Sequence, residues 1–335
     1  MKNTVHGIVL MAMMLLFSCQ AKETAVITVK GKIPSSEMGK TLHHEHILVD
    51  FAGAAQTGYH RWNKDSVIDR VLPYLLEIKQ QGYKTLVECT PAYVGRDPQL
   101  LKLLSERSGM QIMTNTGYYS AAGAKFIPEH GFTETAEQLA RRWIDEAQNG
   151  IEGTGIYPGF IKIAVEQRPL EALQRKIVKA ACLTHKATGL TIMSHTGTAV
   201  PAFEQLEILR VSGVHPSAFI WTHAQNEPDF ENHYKAARMG AWIAFDNFHR
   251  DRLQRTVEFL QQMKKRGLLD KVLLSHDAGW YSPGEPGGGN FRGYTDIGHL
   301  LVPALREAGF SPSEIDQLLE ENPARAFGVR KRLLN

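Results

Sequence analysis

Cysteine is scarce in this chain of 335 residues, which holds only Cys19, Cys89 and Cys182. So few cysteines cannot form a disulfide framework in a chain of this length, so a disulfide-stapled secreted scaffold is excluded. Cys89 lies in a strand-like stretch and Cys182 in a helix-like one. We predict that both are buried free thiols.

Blocks of like charge and long apolar runs are also missing. The 38 basic and 35 acidic side chains leave a net charge of +3. Short basic clusters at 264–266 and 330–332 are typical of solvated helix ends, so we expect no nucleic-acid partner. The glycine triplet at 287–289 has no Gly-Lys-Ser/Thr after it, which excludes a P-loop there.

One apolar run stands at the start of the chain, at 8–17 after Lys2. Its length suits the core of a signal peptide and is too short to cross a bilayer. The run ends in Ser18-Cys19, which resembles a bacterial lipobox. We therefore predict a lipoprotein-type signal peptide over residues 1–19, ending at a lipidated Cys19, in an exported, membrane-anchored protein that faces the periplasm or the cell surface. An ordinary secretory signal is the alternative.

Residues 24–335 are predicted to form a single domain with a large core, because 43% of the chain is hydrophobic and 22% is charged. After a lead-in strand at 26–32, short runs rich in β-branched residues alternate with helical patterns. Most of these runs are apolar on both faces, as buried parallel strands are. The eight strand candidates span 41–49, 85–90, 111–116, 160–165, 191–195, 218–223, 242–246 and 272–277.

Eight strand–helix units in succession predict a (β/α)8 TIM barrel with a short N-terminal strand or hairpin before it. Helix signals support the alternation. Asp97-Pro98 predicts a helix start, Gly109 predicts the end of that helix, and 311–314 reads as a capping box. A doubly wound open sheet is the alternative, but the chain lacks a glycine-rich phosphate turn after its first strand.

Six potential metal ligands lie on five of these strands. They are His44 and His46 on the first candidate, Lys162 within the fourth, and His195, His223 and Asp277 at the ends of the fifth, sixth and eighth. Residues two apart on a strand share a face, so the first two imidazoles point the same way. The carboxyl ends of barrel strands line one mouth, where active sites lie. We therefore predict that all six converge there.

Lys162 is the least ordinary of the six, because it interrupts an apolar strand. An unpaired buried ammonium costs several kcal/mol or loses its proton, so this side chain must pair, neutralise or be modified. A single histidine at a strand end is usually structural, and an aspartate there is usually a helix cap. If all six residues had such structural roles, their position at one end of the same barrel would be a coincidence.

The stretch 39–46 reads Gly-x-Thr-Leu-x-His-Glu-His and resembles the signature of the phosphotriesterase family of the amidohydrolase superfamily, including its lactonase branch. The stretches 95–97 (Gly-Arg-Asp), 116–119 (Thr-Gly-Tyr-Tyr) and 322–325 (Asn-Pro-Ala-Arg) are similar to family stretches too. The resemblance implies a hydrolase with two divalent metal ions, usually zinc, although cobalt, manganese and iron accept such ligands.

The resemblance also implies a role for each ligand. His44, His46 and Asp277 would hold the buried metal, and His195 and His223 the exposed one. Lys162, carboxylated to a carbamate, would bridge both, with a hydroxide as the second bridge. This hydroxide would attack an ester or lactone carbonyl, and Asp277 would act as the catalytic residue that passes its proton to the leaving alkoxide.

Two residues are candidates for substrate binding at the mouth of the barrel. The resemblance implies Tyr119, which matches a pocket tyrosine of the lactonases. The sequence itself suggests Arg292 as a ligand for an anionic group, because it lies in a glycine-rich segment, 278–294, that follows the last strand and should arch over the mouth. A packing aromatic and a surface ion pair are the respective alternatives. Asn226 and Asn247 stand where the family carries titratable residues, which removes the proton relay proposed for phosphotriesterases.

The predicted function is therefore hydrolysis of a small-molecule ester or lactone, with phosphotriester hydrolysis as a side activity. Two alternatives stay open: a metal hydrolase that cleaves phosphodiesters, and a ligand-binding surface lipoprotein whose metal is structural. A membrane contact is expected only through the lipid anchor, and a homodimer is expected from the relatives.

Overall fold

The computed structural model describes residues 24–334, so the predicted signal peptide and Cys19 lie outside the described residues. The described chain begins with an antiparallel hairpin of two strands, β1 (Ala25–Thr28) and β2 (Gly31–Pro34). Val29, just after β1, donates its N–H to the carbonyl of Ile112, which ties the hairpin to the rest of the fold. This hairpin confirms the short N-terminal strand or hairpin that was predicted before the barrel.

Ten strands follow the hairpin in the described part of the chain. They are β3 (Lys40–Leu48), β4 (Tyr83–Glu88), β5 (Gln111–Met113), β6 (Asn115–Thr116), β7 (Phe160–Ala164), β8 (Ile192–His195), β9 (Phe219–Thr222), β10 (Trp242–Phe245), β11 (Val272–Leu274) and β12 (Gly279–Tyr281).

These strands form a parallel (β/α)8 barrel. The order of hydrogen-bonded neighbours is β12-β3-β4-β5 in one sheet and β6-β7-β8-β9-β10-β11 in the other, and every pair is parallel. Only Thr114 separates β5 from β6, so they follow one strand path. After β11, the N–H of Asp277 bonds to the carbonyl of His44, at 3.0 Å, which closes the ring. The predicted fold class is confirmed.

Eleven α-helices are described in residues 24–334. They are α1 (Lys64–Gln80), α2 (Pro98–Ser108), α3 (Glu129–Thr133), α4 (Ala136–Asn149), α5 (Ala172–Thr188), α6 (Ala199–Val211), α7 (Phe230–Met239), α8 (Leu253–Lys265), α9 (Val302–Glu307), α10 (Pro312–Asp316) and α11 (Asn322–Phe327). Within this part of the chain, no helix combines the length and apolar character needed to cross a membrane.

The predicted helix signals act as caps. The side chain of Asp97 accepts the N–H of Leu100 at the start of α2, and Gly109 ends that helix in a left-handed conformation. Ser311 and Glu314 form the predicted capping box of α10, because each side chain accepts the other residue's backbone N–H.

Two strands differ from the sequence-based expectation by more than one or two residues at an end. The third is broken at Thr114, and the eighth ends at Leu274 rather than at Asp277. The second difference has a clear cause: Asp277 has a φ of 53°, which no strand permits, and the Glu45 carboxylate accepts the N–H groups of His276 and Ala278. The strand end is thus bound by a side chain instead of by a neighbouring strand.

The core forms two layers that leave one end of the barrel polar. Apolar side chains fill the barrel interior and its hairpin end, among them Val87, Met113, Met193, Ile220 and Phe327. A larger layer packs the strands against the surrounding helices. Both described cysteines are buried free thiols, as predicted. The buried histidines, the lysine and the carboxylates named above therefore gather at the other end of the barrel, where the strands have their carboxyl ends.

Candidate metal centre

The structure brings all six predicted metal ligands together around one cavity of about 290 Å³ at the mouth of the barrel. The set comprises His44, His46, Lys162, His195, His223 and Asp277. His44 and His46 lie within β3 and Lys162 lies within β7, whereas His195 ends β8 and the other two follow β9 and β11. Because the strands are parallel, these positions all face the same mouth of the barrel.

Three of these side chains meet closely. The Oδ1 atom of Asp277 lies 3.0 Å from Nε2 of His46 and 3.7 Å from Nε2 of His44. On their other ring nitrogens, Nδ1 of His46 lies 2.8 Å from the hydroxyl of Thr90, and Nδ1 of His44 lies 2.7 Å from Asp246. Both rings therefore turn Nε2 toward Asp277, and an Nε2 atom backed by a hydrogen bond on Nδ1 is a usual metal ligand. The donor chemistry fits a divalent cation.

Asp246 supports two of the histidines at once. Its Oδ2 accepts the Nδ1–H of His44 at 2.7 Å, and its Oδ1 accepts the Nδ1–H of His223 at 2.8 Å. These two rings and Asp246 also lie close enough to form a cation site of their own. We assign Asp246 to orientation instead, because both of its oxygens are already taken by ring N–H groups. The sequence analysis missed this residue, although an acid directly after the apolar strand β10 was a usable signal.

Charge and burial shift the pKa values in this cluster strongly. Burial would raise the pKa of Asp246, but His223 and His44 hold it well below its usual value. Burial would lower the pKa of His223, but the Asp246 carboxylate raises it, so the pKa lies above its usual value. Burial and the nearby Lys162 lower the pKa of His44 to about 3, so its ring stays neutral with Nε2 available as a donor of electrons.

Lys162 is buried in the centre of the cluster, with 2% of its surface exposed. Its Nζ donates a hydrogen bond to Nε2 of His44 at 3.2 Å. Within residues 24–334 no carboxylate lies within ion-pair distance of this nitrogen. A buried ammonium without an anion is unfavourable, so the structure sharpens the requirement that Lys162 neutralise or be modified.

His195 and His223 form the other side of the cluster. Their ring centroids lie 4.4 Å apart in an edge-on arrangement. Burial, followed by the neighbouring His223, lowers the pKa of His195 well below its usual value. Tyr119 packs against His195 with ring centroids 5.3 Å apart and lines the same cavity. Its hydroxyl makes no hydrogen bond to the described part of the chain.

Unusual backbone conformations hold several of these residues. His223 and Asp277 have φ values of 56° and 53°, in the left-handed region that non-glycine residues seldom adopt. Gly117 passes so close to Lys162 that a Cβ atom there would lie 2.2 Å from the carbonyl oxygen of Lys162. At Gly279 a Cβ atom would lie 1.7 Å from the carbonyl oxygen of His46. Only glycine fits at these two contacts.

Glu45 points away from the cavity and organises the backbone that carries Asp277. Its Oε1 accepts bonds from the hydroxyl of Ser275 and from both the N–H and Nδ1–H of His276, and its Oε2 accepts the N–H of Ala278. His276 in turn accepts the N–H of Ile297 on Nε2. The fully buried Glu45 therefore fixes the residues on either side of Asp277.

The segment 278–294 is folded rather than a free arch. Its first residues form β12, which pairs with β3, and Gly279 and Arg292 exchange two backbone hydrogen bonds. Trp280 projects from this segment onto the cavity, with its ring 5.4 Å from that of His46. The Arg292 guanidinium donates to the backbone carbonyls of His276 and Asp277, and Arg292 is absent from the cavity wall.

The outer wall of the cavity is aromatic and apolar. Phe51, Phe126 and Trp280 form a contact chain, with centroid distances of 6.0 and 5.5 Å from Phe51 to its two neighbours. Val49, Pro91 and Val94 complete the apolar part of the wall. Asn226 and Asn247 line a different cavity. Phe51 and Trp280 could not be predicted as wall residues from the sequence, because loop residues show no periodic pattern.

A parallel (β/α)8 barrel whose mouth gathers four histidines, a lysine and an aspartate defines the class of metal-dependent barrel hydrolases. This chain belongs to the phosphotriesterase family, whose model matches residues 24–327. The family's members are metal-dependent hydrolases that act on ester-like or amide-like bonds, and this chain is one of them.

The chain is also similar to proteins from distant organisms. It is 31% identical to the "Phosphotriesterase homology protein" of Escherichia coli (strain K12), over 86% of this chain and 98% of that protein. It is 26% identical to the "Aryldialkylphosphatase" of Saccharolobus solfataricus, over 89% of this chain and 98% of that protein. It is 25% identical to the "N-acetyltaurine hydrolase" of Homo sapiens, over 89% of this chain and 96% of that protein. These relatives share nearly the whole barrel and differ in the bond that their names indicate.

Proposed function

We propose that this protein is a binuclear metal-dependent hydrolase of carboxylic esters or lactones, with phosphotriester hydrolysis as a side activity. The observation that carries the proposal is the position of Lys162, buried without an anion and 3.2 Å from a histidine that faces the cavity. A protein that bound a ligand around one structural metal would have no use for such a costly residue.

The residues divide into two ligand sets. His44, His46 and Asp277 would hold one divalent ion, and His195 and His223 the second, with zinc as the first candidate because imidazole and carboxylate ligands suit it. Nζ of Lys162 would form an N–C bond to carbon dioxide, and it would release two of its three protons to solvent and keep one N–H. The resulting carbamate would be an anion that could serve both ligand sets. Bound divalent ions would supply an acidified water and a polarised carbonyl group.

Asp277 is the proton carrier in this scheme. Burial would raise the pKa of Asp277, but the nearby His44 and the hydrogen bond with His46 hold it below its usual value, so the group is a carboxylate at neutral pH. It accepts the proton of the attacking water as the new C–O bond forms. The ester C–O bond then breaks, and Asp277 returns the proton to the leaving alkoxide.

The remaining residues position this chemistry. Asp246 fixes the His44 and His223 rings, and Glu45 fixes the backbone around Asp277. The hydroxyl of Tyr119 is free to orient the bound ester. The aromatic wall of Phe51, Phe126 and Trp280 admits an apolar substituent beside the reacting bond and excludes water. A cavity of about 290 Å³ fits a small substrate.

Esters and lactones are favoured over amides on a chemical argument. An alkoxide leaves after protonation by a weak acid, whereas an amine needs protonation before it leaves, and the cavity holds no dedicated strong acid for that step. The relative named for N-acetyltaurine acts on an amide, however. The relative named aryldialkylphosphatase supports the phosphotriester side activity. Amides and phosphotriesters therefore belong in the test.

We also propose that the protein is exported and anchored through Cys19, and that it forms a homodimer. The lipobox-like end of the apolar run at 8–17 supports the anchor. A Cys19→Ala variant should move from the membrane fraction to the soluble fraction, and unchanged fractionation would contradict the anchor. The native mass from light scattering tests the dimer.

The test of function is a substrate panel on metal-loaded protein whose metal content is measured in parallel. Lactones, aryl esters, phosphotriesters, a DNA phosphodiester and N-acetyltaurine make up the panel. We expect about two metal ions per chain and the highest kcat/KM on a lactone or an ester. Two bound ions with no turnover of any substrate would support the ligand-binding alternative and contradict the hydrolase. Turnover of DNA alone would support the phosphodiester alternative.

A further inference from the structure

A second cavity, of about 400 Å³, adjoins the metal centre and shares none of its lining residues. Gln225 and Asn226 after β9, Asn247 after β10, and Arg252 and Arg255 at the start of α8 provide its polar surface, while phenylalanine side chains form its apolar part. We call it the arginine cavity. Nothing in the metal-centre chemistry uses it.

Within the part of the chain that the structure describes, the two arginines of this cavity have no carboxylate partner, unlike Arg61 and Arg96. Arg61 pairs with Asp50 at 2.6 Å, and the buried Arg96 pairs with Glu146 at 2.7 Å. In residues 24–334, by contrast, neither Arg252 nor Arg255 has a carboxylate within ion-pair distance, and neither guanidinium donates a hydrogen bond. Arg255 packs over the ring of Phe259 at 5.2 Å, which orients the guanidinium without neutralising it.

The other residues that line the cavity add hydrogen-bond donors, and none of them is acidic. The side-chain amides of Asn226 and Asn247 make no hydrogen bond within the described residues, and the first turn of α8 contains no acidic residue. Amides can donate to an anion but cannot neutralise an arginine. Two cations and two free amides thus face one polar cavity that has room for a small molecule.

We propose that the arginine cavity is a binding site for an oxyanion, the carboxylate, phosphate or sulfonate group of a small molecule. Arginine presents paired N–H groups that match two oxygens of such an anion, and the adjacent phenylalanines accept its carbon portion. The anion is either a charged part of the substrate or a free metabolite. Binding there is independent of whether the metal centre hydrolyses esters.

Gln225 connects this site to the metal centre. Its Nε2 donates to Oδ1 of Asp246 at 3.4 Å, and its Oε1 accepts the N–H of Asp246 at 3.2 Å. Asp246 is the residue that holds His44 and His223. An anion in the cavity therefore lies one side chain away from the residue that orients the metal-binding rings.

Calorimetric titration with inorganic phosphate at constant ionic strength tests the site on metal-loaded protein. Phosphate that contacts the metals contributes equally in every variant, so the difference between variants reports the arginine cavity. We expect Arg252→Gln/Arg255→Gln to raise the dissociation constant at least tenfold, and the isosteric Asn226→Asp, which introduces a competing carboxylate, to raise it at least fivefold. Arg238→Gln, an exposed arginine at the far end of α7, is the matched control and should stay within twofold.

Two results would overturn the site: no saturable phosphate binding by the unaltered protein, or equal binding by the unaltered protein and both cavity variants. Asn226 is exposed, so its variant keeps the test valid if the double arginine variant fails to fold. Steady-state kinetics then separate the two sources of the anion. If phosphate raises KM only for esters with an anionic group, the cavity binds the charged part of the substrate. If phosphate affects neutral and anionic esters equally, or affects neither, the cavity binds a free anion.

Discussion

The Nζ atom of Lys162 lies 3.2 Å from Nε2 of His44, although 118 residues separate the two along the chain. One is in the middle of β7 and the other is in β3, on strands that do not neighbour each other in the barrel. The contact spans the barrel interior and places a cation among imidazoles. A bridging anion derived from Lys162 would remove this electrostatic conflict, and the first prediction follows from it.

Replacement of Lys162 by alanine should abolish metal binding at the centre. We expect activity to fall by more than about 100-fold, since even outer residues of metal sites change activity by 10–100-fold. Short carboxylic acids should restore part of the activity, because a free carboxylate can occupy the space of the carbamate. Metal analysis and rescue kinetics are the measurements, with the exposed Lys102→Ala as the control. Full metal occupancy in the Lys162 variant would contradict a bridging role.

Asp246→Asn should weaken metal binding without unfolding the barrel. The amide keeps one oxygen, so it can accept from only one of the His44 and His223 rings, and its NH₂ group faces the other ring's N–H. We expect metal affinity to fall about 10–100-fold, as for other residues that orient metal-binding histidines. Competition with a chelator measures this affinity. Asp270→Asn, at a surface ion pair, should have no effect, and an equal loss in both variants would remove Asp246 from the site.

Glu45→Gln should destabilise the whole protein. The carboxylate accepts four hydrogen bonds in a fully buried position, and an amide cannot accept on its nitrogen. Loss of one partner in a buried charged network costs about 3–5 kcal/mol, so we expect a drop of that order in the free energy of unfolding. Urea denaturation measures it. The exposed Glu77→Gln should change stability by less than about 0.5 kcal/mol.

The Arg292→Gln variant tests whether Arg292 positions the backbone of Asp277 or binds the substrate. The guanidinium holds the carbonyls of His276 and Asp277, so its removal should disturb Asp277 and lower kcat by about tenfold, with KM unchanged. The sequence predicted a role in binding anionic substrates instead. A rise in KM confined to anionic substrates would support that role, and unchanged Michaelis constants for all active substrates would exclude it.

Stability should fall as the pH drops from 7 toward 5, partly because of His185. Burial lowers the pKa of this residue, whose Nδ1–H donates to the carbonyl of Leu190 and whose Nε2 accepts the N–H of Arg332. Below the unfolded value of about 6.5 the unfolded chain binds a proton that the native ring does not, so stability is lost as pH falls toward the native pKa. The contribution reaches at most about 1.4 kcal/mol per pH unit.

The measurement for His185 is the free energy of unfolding against pH in one metal state. His185→Gln should be less stable than the unaltered protein at pH 7 and should lose less further stability on acidification. His60→Gln, at an exposed position, should leave the pH profile unchanged. A His185 variant with the same slope as the unaltered protein would contradict the assignment.

The order of strands and helices and the positions of the candidate metal ligands could be predicted from the sequence. Each barrel strand is a short apolar run, and a residue's place at the carboxyl end of its strand is a local property of the chain. Because parallel barrel strands all end at one mouth, knowing that His195 and His223 end strands was enough to predict that they meet. The caps at Asp97 and Ser311 were readable for the same reason, since their bonds reach only three residues along the chain.

The tertiary structure decided what holds those residues in place. Asp246 and His44 are 202 residues apart and Glu45 and Ser275 are 230 apart, so no local pattern could show that they are bonded. The sequence likewise gave no sign that β12 would pair with β3 or that Arg292 would turn to the backbone of Asp277. Local sequence sets which side chains reach the mouth, because strand direction is a short-range property. Their orientation, charge and support depend on long-range contacts, which exist only once the barrel has closed.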